Sequence, residues 1–136
     1  MNYFLAKSEP LVYSISDLER DHKTTWDGIK NAQALQAVRS MKPGDRVFIY
    51  HSGGVSAIVG LAEVVSEPRE DPKTPKLAIV DLQFLCKIDP PTTLADVKTS
   101  NLFNDWLLVR NSRLSTMPVP PTVVAWMKKR YPKLHL

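Results

Sequence analysis

Cysteine is nearly absent: Cys86 stands alone among 136 residues, which excludes an internal disulfide. Histidine is scarce too, limited to His22, His51 and His135, and no Cys/His spacing suits a metal site. No apolar run approaches the ~18 residues that a membrane-spanning helix needs. The first ten residues, MNYFLAKSEP, lack the basic start and the apolar core of a signal peptide. Glycine-rich phosphate loops are missing, because Gly53-Gly54 has neither dinucleotide nor P-loop context. There are no repeats and no low-complexity tract. These gaps set the expectation of a metal-free and cofactor-free protein that does not enter a membrane. It is expected in the cytoplasm of a bacterial-type cell, or in the nucleus of a eukaryotic one.

What is present is ordinary globular composition, 43% apolar and 24% charged, which argues against disorder. The length suits one domain spanning 1–136. Eighteen Lys and Arg against fourteen acids give +4, a modest lean toward an anionic partner such as nucleic acid.

Along the chain, Tyr3–Ala6 reads as a first strand. Ser14 and Asp17 form an S-x-x-D opening to a helix over Ile15–Arg20. Asn31 caps a helix over Ala32–Met41, where Ala34, Leu35, Val38 and Met41 make one stripe. Lys42-Pro43-Gly44-Asp45 is a turn, and Arg46–His51 is a strand. Ala57–Val65 is apolar at nearly every position, as in a strand covered on both faces. Ser66–Lys76, with three prolines and six charges, reads as an exposed loop.

Leu77–Ile88 is a strand with its even positions inward, so Cys86 is expected to be a buried small hydrophobe. Pro90-Pro91 breaks the chain, and Thr93 with Asp96 opens a helix over Leu94–Lys98. Trp106–Val109 reads as a short strand. Pro120-Pro121 begins a last helix, which runs to Tyr131 before Pro132. The sum is an α+β domain on a small curled, barrel-like sheet of about five to six strands flanked by short helices.

Candidate chemistry gathers around Trp26. Its neighbours Thr24, Thr25, Asp27, Gly28 and Asn31 are polar or small, which suits a loop lining a pocket. A flat indole beside amide and hydroxyl groups is what a planar base requires, and each stacked base contributes about 1–3 kcal/mol. A core Trp is the competing reading, and Asn31 also serves as a helix cap. Lys7 and Ser8 follow the first strand, where an ammonium can meet phosphate and a hydroxyl a base edge. Tyr50 and His51 alternate across their strand. A hydrolytic set of Ser52, His51 and Asp27 is opposed by the same alternation. A pocket for a small molecule or protein, without nucleic acid, stays open as an alternative.

Taken together, FLAKSEP (Phe4–Pro10), ISDLERD (Ile15–Asp21), TTWDGIKNAQ (Thr24–Gln33), MKPGDRVFIYHS (Met41–Ser52) and IVGLAEVVSEP (Ile58–Pro68) resemble the EVE domain of the PUA-like superfamily. KLAIVDLQF (Lys76–Phe84) and LLVRNSRLSTMPV (Leu107–Val119) extend the likeness over nearly the whole chain. The family is similar to YTH domains, which hold a methylated adenine in an aromatic cage. The resemblance implies a PUA-like barrel and a monomeric binding module, not an enzyme, which reads a modified base in DNA or RNA, notably a modified cytosine.

It further implies Lys7 and Ser8 at the pocket rim and Trp26 as a cage wall. Asp27, Gly28 and Asn31 line the pocket, while Tyr50, His51 and Ser52 close its far side. Arg113 lies near the pocket or the nucleic-acid backbone. The chain departs from the family at Ala32, where an aromatic is common, at Leu35, where a basic residue is common, and at Leu77, where a Trp is often found.

Overall fold

The computed structural model describes Met1–Leu136. Seven strands and five helices follow the order β1 (Tyr3–Ser8), α1 (Ile15–Asp21), β2 (Lys23–Trp26), α2 (Ala32–Arg39), β3 (Arg46–His51), β4 (Ala57–Val64) and β5 (Arg69–Asp71). After these come β6 (Thr74–Thr93), α3 (Leu94–Thr99), α4 (Leu107–Arg110), β7 (Thr116–Pro118) and α5 (Pro121–Arg130). The sheet runs β2-β6-β4-β3-β1-β7, with β5 paired to β6. It curls around the core without closing, an α+β PUA-like fold.

Local chemistry explains the helix starts. The Ser14 hydroxyl accepts from Asp17 N at 3.1 Å and the Asp17 carboxylate accepts from Ser14 N at 2.9 Å, a reciprocal cap on α1. Thr93 and Asp96 repeat it on α3, with both bonds at 3.0 Å. Asn31 Oδ1 accepts from Ala34 N at 3.0 Å, and Pro121 occupies the first turn of α5, where its missing N–H costs nothing.

Apolar faces then close one core. Ala34, Leu35 and Val38 of α2, Val123 and Met127 of α5, and the inward positions of β1, β3 and β4 all belong to it. Gly60 on β4 permits the close approach of α1. A Cβ built there would stand 2.2 Å from Ile15 Cδ1, nearer than packed atoms tolerate.

Several elements differ from the sequence expectation. Lys23–Trp26 is a strand, not a loop, paired antiparallel to β6 with Trp26 opposite Val80. An edge strand is held by backbone hydrogen bonds, which its polar side chains do not advertise. The expected loop Ser66–Lys76 contains β5, a charged, largely exposed strand at the sheet margin, as edge strands commonly are.

β6 continues through Pro90-Pro91. The register slips between the pairs Ile58–Thr92 and Gly60–Lys87, and the prolines sit in that slip, where no ladder donor is required. A second slip lies between Leu61 and Ala62, and beside it Phe84, Leu85 and Cys86 are all only partly covered, so Cys86 is half-buried rather than buried. Burial pushes its thiol pKa up, away from thiolate chemistry. Trp106–Val109 is not a strand: Trp106 precedes the helical turn α4, and its Nε1 donates to the Pro118 carbonyl at 3.3 Å. Short apolar runs do not distinguish the two conformations.

Candidate base-binding site

The site begins at the C-terminal ends of β1 and β3. These strands pair in parallel, with Lys7 opposite Tyr50 and Ser8 opposite His51, and Ser52 N extends the ladder to Ser8 O at 3.0 Å. Beyond Ser8 the chain turns at once, because Glu9 O accepts from both Val12 N and Tyr13 N. Ser8 Oγ donates to the Tyr13 carbonyl at 2.6 Å, which fixes Tyr13 above the strand end. From the other side, β2 delivers Trp26. The indole and the Tyr13 ring meet at 80° with centroids 6.3 Å apart, a favourable edge-to-face pair. β2 itself is pinned by Thr25 Oγ1, which donates to Asp81 Oδ1 at 2.8 Å.

These groups surround an open cleft of about 400 Å³ lined by Lys7, Ser8, Val12, Tyr13, Thr24, Thr25, Trp26 and Asp27. That volume falls within the usual range for a small-ligand pocket. Trp26 is half-buried, so part of its ring faces the cleft. Asp27 is exposed beside it and brings a carboxylate acceptor. Lys7 brings the donor: its Nζ donates to the Ser112 carbonyl at 3.0 Å and stands 5.5 Å from the Tyr50 ring centroid. Burial lowers the Lys7 pKa. Ser8 has spent its proton on Tyr13 and keeps its lone pairs for an incoming donor. The arrangement can therefore stack a flat ring, donate to one side of it and accept from another.

Of the ten residues singled out from the sequence, four line the cleft: Lys7, Ser8, Trp26 and Asp27. The other six stand around it. Gly28 turns the chain out of β2 with φ of +74°, a conformation that disfavours other residues. Asn31 spends its side-chain oxygen on the α2 cap. Tyr50 is buried beneath Lys7, and burial raises its phenol pKa. His51 Nε2 accepts from Ile15 N at 3.0 Å, which tethers the start of α1 to β3. That bond uses the lone pair a hydrolytic base needs, and burial lowers the imidazole pKa, so the neutral ring carries its proton on Nδ1. Ser52 serves the strand ladder. Arg113 is exposed next to Ser112, the residue whose carbonyl holds Lys7.

Two lining residues went unnoticed in the sequence, Val12 and Tyr13. The signal was the apolar triplet Leu11-Val12-Tyr13 between Pro10 and the Ser14 cap, too short for an element and too apolar for a plain turn. Tyr13 supplies a second aromatic wall although Ala32 is not aromatic. Its hydroxyl donates to Asp21 Oδ2 at 2.9 Å, and burial first, then the Asp21 carboxylate, raises its pKa. Leu35 is buried in the core and is not placed to meet phosphate.

A larger cavity, about 550 Å³, lies between the N-terminus and α5. Of its two aromatic residues, Phe4 is buried in the core, and Tyr3 is stacked on Phe48 with centroids 5.8 Å apart and has Lys128 Nζ 5.8 Å from its ring. It offers no free aromatic face, so the cleft beside Trp26 is the better candidate.

The fold is that of a PUA-like domain. The chain belongs to the EVE domain family, whose model matches residues 2–129. It is 36% identical over 126 residues to thymocyte nuclear protein 1 of Rattus norvegicus, a match covering 72% of this chain and 56% of the relative. The chain thus spans little more than half the length of that curated relative. Among solved structures, a protein from Rhodopseudomonas palustris superposes with a TM-score of 0.88 at 33% identity over the full length of both chains. The human THYN1 protein, solved in complex with 5-methylcytosine-containing DNA, gives 0.88 at 26% identity, covering 98% of this chain and 99% of that one.

Proposed function

We propose that residues 1–136 form a single EVE domain that binds DNA and accepts a modified base, a modified cytosine such as 5-methylcytosine, in the cleft beside Trp26. One observation carries this reading: a half-buried indole, set at right angles to Tyr13, faces an open cleft with an ammonium and a carboxylate at its edge. The base is turned out of its strand and stacks on Trp26, with Tyr13 as side wall. Asp27 accepts from an exocyclic amino group, as carboxylates do from cytosine N4. Lys7 donates to ring or carbonyl acceptors, or to the flanking phosphate, and Arg113 adds a backbone contact. Val12 offers an apolar surface to a methyl substituent. The DNA complex of the human relative supports the choice of ligand. The domain acts by binding rather than by chemistry, a reading supported by the engagement of His51 Nε2.

Anisotropy titrations with duplexes differing only in one 5-methylcytosine test it. The wild type is expected to prefer the methylated duplex, and Trp26→Ala to weaken binding by about fivefold to 150-fold, the loss of one stacked base. Unchanged affinity in the variant would remove the indole from the site.

A further inference from the structure

Leu11, Val12 and Val55 are among the few large apolar side chains left in water, with Leu11 fully exposed, Val12 at 76% and Val55 at 74%. Single exposed apolar residues are ordinary, but these three share one end of the molecule. Leu11 and Val12 occupy the turn after β1, and Val55 lies in the loop after β3. The two strands are parallel neighbours ending side by side at Ser8 and His51.

Hydrogen bonds hold the backbone of the Leu11 turn on both sides. Glu9 O clamps it from within, Ser8 Oγ ties it to the strand through the Tyr13 carbonyl, and His51 Nε2 anchors Ile15 just beyond it. Its next residues, Val12 and Tyr13, line the cleft. One cation, Arg113, stands on the neighbouring loop, adjacent to the residue whose carbonyl receives Lys7 Nζ. An apolar tip, a base-sized cleft and positive charge thus lie together.

We infer that Leu11 is a wedge that enters the base stack of a duplex and fills the space left by the extruded nucleotide, with Val55 packing against the adjoining bases. This rests on the base-binding reading of the cleft. Extracting a paired base leaves a gap between its neighbours, and DNA-bending proteins fill such openings with apolar side chains. A turn whose backbone is already held suits the task, because less ordering cost falls due at insertion. The ligand is therefore a paired duplex, and Leu11 is a positioning residue, needed to open the stack rather than to hold the base.

The test compares one 5-methylcytosine in three settings: paired with guanine in a duplex, opposite an abasic site, and in single strand. Leu11→Ser is expected to weaken binding to the paired duplex by about tenfold, where a base must be both unpaired and unstacked, to weaken it less opposite an abasic site, where only the vacated space is left unfilled, and to bind the single strand as the wild type does. Val55→Ser should follow the same pattern more weakly. A 2-aminopurine next to the modified base should brighten on binding wild type and stay dim with Leu11→Ser. Leu11 makes no core contact, so misfolding is not at issue. Equal loss on all three ligands, or wild-type binding to the paired duplex by both variants while Trp26→Ala still weakens it, overturns the wedge and leaves the cleft intact. If Trp26→Ala changes nothing on any ligand, the cleft reading fails and the wedge with it.

Discussion

His51 is tied to α1 by a bond that requires a lone pair on Nε2, and protonation removes that lone pair. Burial lowers its pKa in the folded protein below the ordinary value near 6.5. The unfolded chain therefore binds the proton more readily, and stability is lost as pH falls below about 6.5, until the folded-state pKa is passed. Thermal midpoints measured from pH 8 down to pH 5 should decline across that window. His51→Gln, which cannot titrate, should flatten the decline; an undiminished slope in the variant would assign it to other groups. Asp17, Asp81 and Asp96 have depressed pKa values, from hydrogen bonds to Ser14, to Arg69 and to Thr93 first of all. Their contribution is lost as pH falls from the ordinary carboxylate value of about 4 through their lower folded-state values, so the two effects separate on the pH axis.

Among the elements, α2 and β2 carry the most information about how the cleft is built. Asn31 caps α2 with its side-chain oxygen, and α2 lies directly after the Trp26–Gly28 turn. Asn31→Ala should therefore cost stability, about 0.5–2 kcal/mol, with Asn31→Asp restoring most of it in urea melts. Unchanged stability in Asn31→Ala would show that the cap bond contributes nothing to the folded state. The capped starts of α1, α2 and α3 and the turn at Pro43-Gly44 were legible in the sequence, since caps and turns are local and use few residue types. The strand at Lys23–Trp26 was not. Its partner β6 lies more than fifty residues away, and a polar edge strand has no period of its own to read. The same applies to Trp106–Val109, whose conformation is settled by the hydrogen bond to Pro118 and the core around it.

For the molecule as a whole, charge is moderate at +4, and the cations beside the cleft are Lys7 and Arg113. Two phosphate contacts on B-DNA predict a slope of log K against log salt near about −2, from −0.9 per phosphate. Titrations between 50 and 200 mM salt, on the order of the range where such slopes are read, check this. A slope steeper than about −5 would mean that a broader basic face, such as Lys128-Lys129-Arg130 at the end of α5, joins the contact. No helix is long and apolar enough to cross a membrane.

Composition, helix caps and the core stripe of α2 were enough for an α+β class, the resemblance of motifs along the chain to the EVE family implied the PUA-like form, and the polar residues around Trp26 pointed at the indole. Each of those features is written in residues close together along the backbone. Which groups share the cleft with Trp26 was decided by strand pairing. Parallel β1 and β3 align Ser8 with His51, antiparallel β2 and β6 fix Trp26, and the turn after Ser8 carries Tyr13 to the indole. Pairing between distant segments depends on the summed burial of the core, a quantity that no short stretch of sequence contains.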